Sequence, residues 1–155
     1  MEQLFAQLQS ADESDWKSVE NKILKEYSKS GSVAMDMLLE RGRQALKKGN
    51  LGDAIGIFST VIDHAPGFAE AWNARATAFF MADRYNLSLD DIEQVLALSP
   101  RHFGAMLGLG MILERLNRPR DALKAFQEVL KVHPHRPDAK RAVERLKTRV
   151  EGVAL

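Results

Sequence analysis

The chain has 155 residues, of which 45% are hydrophobic and 28% charged, and a formal net charge of +1. That suits a single ordinary globular domain, and no apolar run approaches the ~18 residues that a membrane span requires. There is no cysteine, which excludes disulfides, thiol catalysis and cysteine-ligated metals. The opening MEQLFAQLQS has neither a basic segment nor an apolar signal core. A cytoplasmic location is expected from this chain, or a periplasmic one if Met1 stands where a signal was removed.

Residues 1–34 read as two helical stretches. Leu4 and Leu8 mark a short first helix. Ser10 followed by Glu13 has the spacing of a capping box, which predicts a second helix starting near Ala11 or Asp12. Trp16, Val19, Ile23 and Tyr27 then give one apolar stripe, and Ser30-Gly31-Ser32 supplies the stop. The pair is expected to act as an N-terminal cap or degenerate repeat. The alternative is a segment that mimics a peptide and folds into a groove.

From residue 35 the chain repeats. Pro66, Pro100 and Pro134 lie 34 residues apart, each after an apolar helical run, VIDHAP, VLALSP and VLKVHP. Proline lacks the N–H and clashes with the preceding turn, so each ends a helix. The units are 35–68, 69–102 and 103–136, followed by a C-terminal capping helix over 137–151. In the first unit Gly49-Asn50 makes the turn between two helices. Gly52 and Gly56 cost the second helix some stability, and Gly56 is expected to face a neighbouring helix closely. The second unit carries Trp72, Phe79, Phe80 and Met81. Phe80 and Met81 lie about 100° and 200° round the helix from Phe79, so at least one should reach the surface. The third unit has Gly104, Gly108 and Gly110 on its first helix and turns at Asn117-Arg118-Pro119.

Aligned on their prolines, the units share a pattern. Unit one supplies Leu38, Gly42, Ala45, Ala54, Phe58 and Pro66; unit two Trp72, Ala76, Phe79, Ser88, Ile92 and Pro100; unit three Met106, Leu109, Gly110, Leu113, Ala122, Phe126 and Pro134. This resembles the tetratricopeptide repeat family, whose 34-residue unit is a helix–turn–helix with small residues where its helices cross, and looks like a stand-alone bacterial member with three repeats. The resemblance implies an all-α, right-handed superhelix of stacked repeats with terminal capping helices. Gly42, Ala76 and Gly110 would let the two helices of a unit approach. Arg41 and Arg75 depart from the pattern, standing where the family has Leu; internal pairing is expected, with Asp63, Asp90, Asp91 and Glu93 as candidate partners.

Catalytic chemistry is not expected. His64, His102, His133 and His135 cluster near the helix-ending prolines but in three units, about a helix diameter apart, so they do not form a shared metal site with its ~2 Å bonds. They are expected to meet helix C-termini instead. Asp90, Asp91 and Glu93 point to different sides of one helix, and no phosphate loop or nucleophile elbow occurs. No cofactor, metal or small-molecule substrate is expected.

The family resemblance places partner binding on the concave wall formed by first helices. The matching residues are Leu39, Arg43 and Lys47, then Asn73, Thr77 and Phe80, then Leu107, Met111 and Arg115. A subgroup of the family grips the terminal carboxylate of chaperone tails with Lys and Asn; the matching places here hold mostly Leu39, Arg43, Ala74, Gly104 and Gly108, so that clamp is absent. The expected function is a protein–protein adaptor taking a peptide or helix in an apolar groove. The alternatives are a secretion-type chaperone with three such repeats, or nucleic-acid or acidic-partner binding by the basic C-terminal stretch. Residues 1–114 hold 11 Lys/Arg against 16 Asp/Glu, a balance of −5, and residues 115–155 hold 11 against 5, a balance of +6. Aromatic interleaving for base stacking is missing there.

Overall fold

Left-handed backbone recurs on the same period as the prolines. Gly49 (φ 79°), Asp83 (φ 58°) and Asn117 (φ 57°) are 34 residues apart, and all three are residue types that tolerate this conformation. Each makes the turn between the two helices of a unit. The computed structural model describes residues 1–154, and these are all-α: α1 (Glu2–Ser10), α2 (Trp16–Tyr27), α3 (Val33–Lys47), α4 (Leu51–His64), α5 (Ala69–Met81), α6 (Tyr85–Leu98), α7 (Phe103–Arg115), α8 (Pro119–Val132) and α9 (Pro137–Ala154). The starts of α4, α6 and α8, and those of α5, α7 and α9, fall on the 34-residue period. No helix of the described residues is long and apolar enough to cross a membrane.

The chain divides into two compact units. The central unit, residues 27–102, holds α3 to α6. Ser32 caps α3 by accepting the Met35 N–H (3.3 Å), so this helix begins before the repeat register does. Leu39, Phe58, Val61, Ile62, Phe68 and Ala71 make its core. The crossing of α3 over α4 depends on Gly42: a Cβ there would lie 2.4 Å from the buried Phe58 ring. On the second pair Ser88 donates to the Ala76 carbonyl (2.7 Å). Arg75 is held as expected, by a bidentate pair to Asp91 (2.8 Å each) and a bond to Ser59 (3.1 Å), with its guanidinium over the Trp72 and Phe79 rings. Arg41 instead stays exposed, among Gln44, Lys48, Asp53 and Thr60 along an open surface depression of about 530 Å³. Gly56 lines that depression, and a Cβ there would meet open space. The expected close helix contact at Gly56 is therefore corrected.

The terminal unit joins residues 1–26 to the chain from Phe103 onward. Here α7 crosses α8 at Gly110, where a Cβ would lie 2.6 Å from the buried Phe126 ring. α9 packs on α8 through Ala139, Ala142, Val143 and Leu146. Residues 1–26 bury Phe5, Leu8, Trp16, Val19 and Ile23, but α1 and α2 do not pair along their lengths as α3 does with α4. The predicted capping box also shifts. Ser10 closes α1, its hydroxyl donating back to the Ala6 carbonyl (3.1 Å). Asp12 takes over the turn, accepting the N–H groups of Ser14 (2.9 Å) and Asp15 (3.0 Å), and α2 starts only at Trp16.

Candidate functional site

In the central unit the polar side chains converge on a carboxylate that the sequence reading did not single out. Glu70 sits in the first turn of α5, where the helix dipole favours an anion, and it is buried. Its Oε1 accepts from Arg43 Nη2 (3.0 Å) and Asn73 Nδ2 (3.4 Å), and its Oε2 lies 2.9 Å from His102 Nε2. Burial by itself would raise its pKa; the His102 hydrogen bond, with the charges of His102 and Arg43, outweighs burial and holds it below the ordinary carboxylate range. Arg43 also donates to Ser28 Oγ (3.1 Å). Tyr27 stacks on the buried His102 ring at 4.5 Å and accepts from the Ser99 hydroxyl (3.2 Å). Burial raises the pKa of the Tyr27 phenol.

A second cluster lies in the terminal unit. His133 is fully buried at the end of α8, and its Nε2 is 2.5 Å from Glu20 Oε2. Arg136 Nη1 donates to the other oxygen of Glu20 (3.1 Å). Trp16, one turn before Glu20 on α2, meets His133 edge-on at 5.3 Å and lies parallel to His135 at 6.4 Å. His135 Nε2 also approaches the Ala11 carbonyl (2.6 Å). Burial pushes the Glu20 carboxyl up, but the His133 hydrogen bond and the Arg136 charge hold it below the usual glutamate range. His102 and His133 thus meet carboxylates rather than helix ends, which corrects the expectation for them. His64 alone of the four stays with its own helix, at Thr60 O (2.9 Å).

The expected wall residues divide into distinct settings. Leu39 is 1% exposed and belongs to the core, and Leu107 is 8% exposed. Leu39 stands three residues before Gly42, and Leu107 three before Gly110, so each shares the face that meets the second helix of its own unit; their assignment to the groove is corrected. Arg43 and Asn73 are brought together through Glu70. Thr77 is exposed, its hydroxyl donating to the Asn73 carbonyl (3.1 Å). Phe80 is half-buried, its ring 5.6 Å from that of Tyr85. Met81, Lys47, Met111 and Arg115 are exposed. The basic face of α9 is partly engaged: Arg145 pairs with Glu114 (2.6 Å) and Arg149 donates to Asn117 Oδ1 (2.7 Å).

Two family models described as tetratricopeptide repeat match residues 39–101 and 79–146. The chain is 33% identical over 153 residues to a TPR repeat-containing protein of Rhizobium etli, covering 98% of this chain and 75% of that one. It is 32% identical over 108 residues to the Mus musculus DnaJ homolog subfamily C member 3, covering 70% of this chain and 21% of that protein. Among solved structures it is similar to the first TPR domain of Spaghetti (RPAP3) bound to an HSP90 peptide, with TM-score 0.72 and 21% identity over 76% of this chain and 93% of that one. It is also similar to the Sgt2 TPR domain from Aspergillus fumigatus, with TM-score 0.74 and 19% identity over 79% and 83%.

Proposed function

The chain belongs to the tetratricopeptide repeat family, and from that premise we propose that it is a non-catalytic scaffold binding a peptide or helical segment of another protein. The observation that carries this reading is the outer strip of α5, where Thr77 is exposed, Phe80 is half-exposed and Met81 is exposed, with Asn73 one turn before Thr77. An apolar pair flanked by polar groups able to orient a ligand is the usual composition of a peptide-binding wall. The bound HSP90 peptide of the RPAP3 domain supports the mode of binding but not the ligand. In this chain Arg43 already faces the internal carboxylate of Glu70. A ligand's terminal carboxylate would have to compete with it, so the favoured partner segment is apolar and internal to its protein.

Peptides displayed on phage and selected on the immobilised full chain test the proposal. Enriched peptides should carry large apolar side chains. They should bind Thr77→Arg and Phe80→Asp chains at least about ten-fold more weakly, as expected for residues at the centre of a binding surface. Thr77→Arg should leave the melting temperature nearly unchanged, since the residue is exposed. Enriched peptides that bind both variants as well as the wild type would place binding elsewhere.

A further inference from the structure

We propose that the open face of α3 and α4 is a docking site for a second copy of this chain, which lays the outer stripe of its α6 against it. Both surfaces belong to the central unit. Neither is the α5 strip, so this inference and the peptide-binding reading can fail independently.

The open face emerges when the units are compared position by position. In the second unit Ala71 and Ala78 are fully buried, and α4 packs along their helix. Their equivalents in the third unit, Ala105 and Ile112, are fully buried as well. In the first unit the same places hold Met37 and Gln44, and both are exposed, Met37 by 66%. Val33, one turn before Met37, is 77% exposed. A helix face that two units cover and the first leaves in water is a stacking surface without its second half. Arg41 makes the same point in charge. Its equivalent, Arg75, is satisfied by Asp91 of α6 and by Ser59 of α4. Ile57 stands where Asp91 would be, and Arg41 makes no hydrogen bond or ion pair among the described residues.

Charge selects the occupant. The depression of about 530 Å³ on this face sets Arg41 and Lys48 against a single acid, Asp53, and Gly52 and Gly56 keep its α4 side free of side chains. It fits a helix edge that carries apolar residues beside carboxylates. The chain owns such an edge. On α6, Leu87 and Leu98 are exposed at 41% and 43%, and eleven residues apart they lie within about 20° of each other round the helix. Asp90 and Glu93 are exposed beside them, while Asp91 turns inward to Arg75. Neither Asp90 nor Glu93 is paired among the described residues, and α6 contains no basic residue. Each surface thus offers apolar side chains with an excess of one sign of charge, and the signs are opposite, which steers and registers an interface. The two patches differ, so the contact is head-to-tail: each copy in a pair keeps one patch free for another.

Light scattering of the full chain at rising concentration and low salt tests this. The average mass should climb from the 17.4 kDa of one chain to at least about twice that value, and fall back as added salt screens the charges. Two variants separate the surfaces: Arg41→Glu with Lys48→Glu, and Asp90→Lys with Glu93→Lys. All four residues are exposed, so both variants should melt near the wild type. Each alone should associate at least about ten-fold more weakly. An equimolar mixture should regain association, because the α3 face intact on one variant meets the α6 stripe intact on the other. A wild-type chain that stays monomeric overturns the proposal and leaves the face to another protein. Association that either variant leaves unchanged overturns it too, since a two-fold pairing of one patch with itself needs only that patch. A mixture that stays dissociated does the same. Carbodiimide coupling of isotope-labelled with unlabelled wild-type chain gives a reading that needs no variant. Lys48 of one copy should join Asp90 or Glu93 of the other, and links between copies confined to other residues overturn the pairing.

Discussion

Glu70 shows what one buried charge commits its neighbours to. Three side chains from three places in the sequence point at it, so removing the carboxylate leaves Arg43 and His102 without their partner. Glu70→Ala should cost about 3 kcal/mol, in the range for breaking a buried pair from one side, read as a shift in urea midpoint. Its folded pKa lies below the unfolded value. The stabilisation is therefore fully present above the ordinary glutamate range and is lost as pH falls through the folded value. Wild-type stability should fall more steeply in acid than that of Glu70→Gln; parallel pH curves would show that Glu70 does not carry this dependence. The helix crossings make the opposite kind of residue argument, one of volume. Gly42 lies under Phe58 and Gly110 under Phe126, while the equivalent pair in the second unit is Ala76 and Ile92, both buried. Gly42→Ala should cost about 1–3 kcal/mol of overpacking despite alanine's better helix propensity. Ile92→Phe should cost about as much, and Ala76→Gly should recover part of that loss in the double variant. Additive effects would mean the two positions do not touch. The crossings were legible in the sequence because three units repeat them. Glu70 was not, because its partners lie 27 and 32 residues away and no repeat echoes the set. Leu39 and Leu107 were misplaced for a local reason: the small residue three positions on already put them on the inward face.

At the scale of elements, the helix boundaries were the most legible feature, since proline, glycine and asparagine mark them by a backbone requirement and not by context. The turn residues Gly49, Asp83 and Asn117 show how strict that requirement is. Gly49→Ala places a Cβ on a left-handed residue with no neighbouring atom to clash with. Any loss then reports backbone strain alone, about 1–2 kcal/mol, measurable as a lowered melting temperature. An unchanged melt would mean that the turn relaxes to another conformation. The N-terminal segment was less legible. Ser10 and Glu13 have capping-box spacing, yet Asp12 accepts two N–H groups through one side chain and holds the turn open until Trp16. Where α2 would lie was beyond the sequence altogether, because Trp16 and Glu20 find their partners more than a hundred residues along the chain.

For the whole molecule, the uneven charge sets a limit that can be checked. The +6 balance of residues 115–155 invites polyanions, but Arg145 and Arg149 are already held by Glu114 and Asn117. Nucleic-acid binding at physiological salt should therefore be no tighter than ordinary non-specific association, about 10⁻⁴–10⁻⁶ M, with a steep salt dependence. Nanomolar binding that survives salt would contradict this. The left-handed turns have a further consequence, for how such a chain changes in evolution. Gly49, Asp83 and Asn117 are exposed and equally spaced, so each is an equivalent place to cut and rejoin. A duplication or deletion joining one to another carries a whole module and leaves the joint with the dihedral it already had. Any other length sets a side chain where only glycine, asparagine or aspartate rests easily. The chain can thus grow or shrink by copying errors of one size, while errors of other sizes remove themselves by failing to fold.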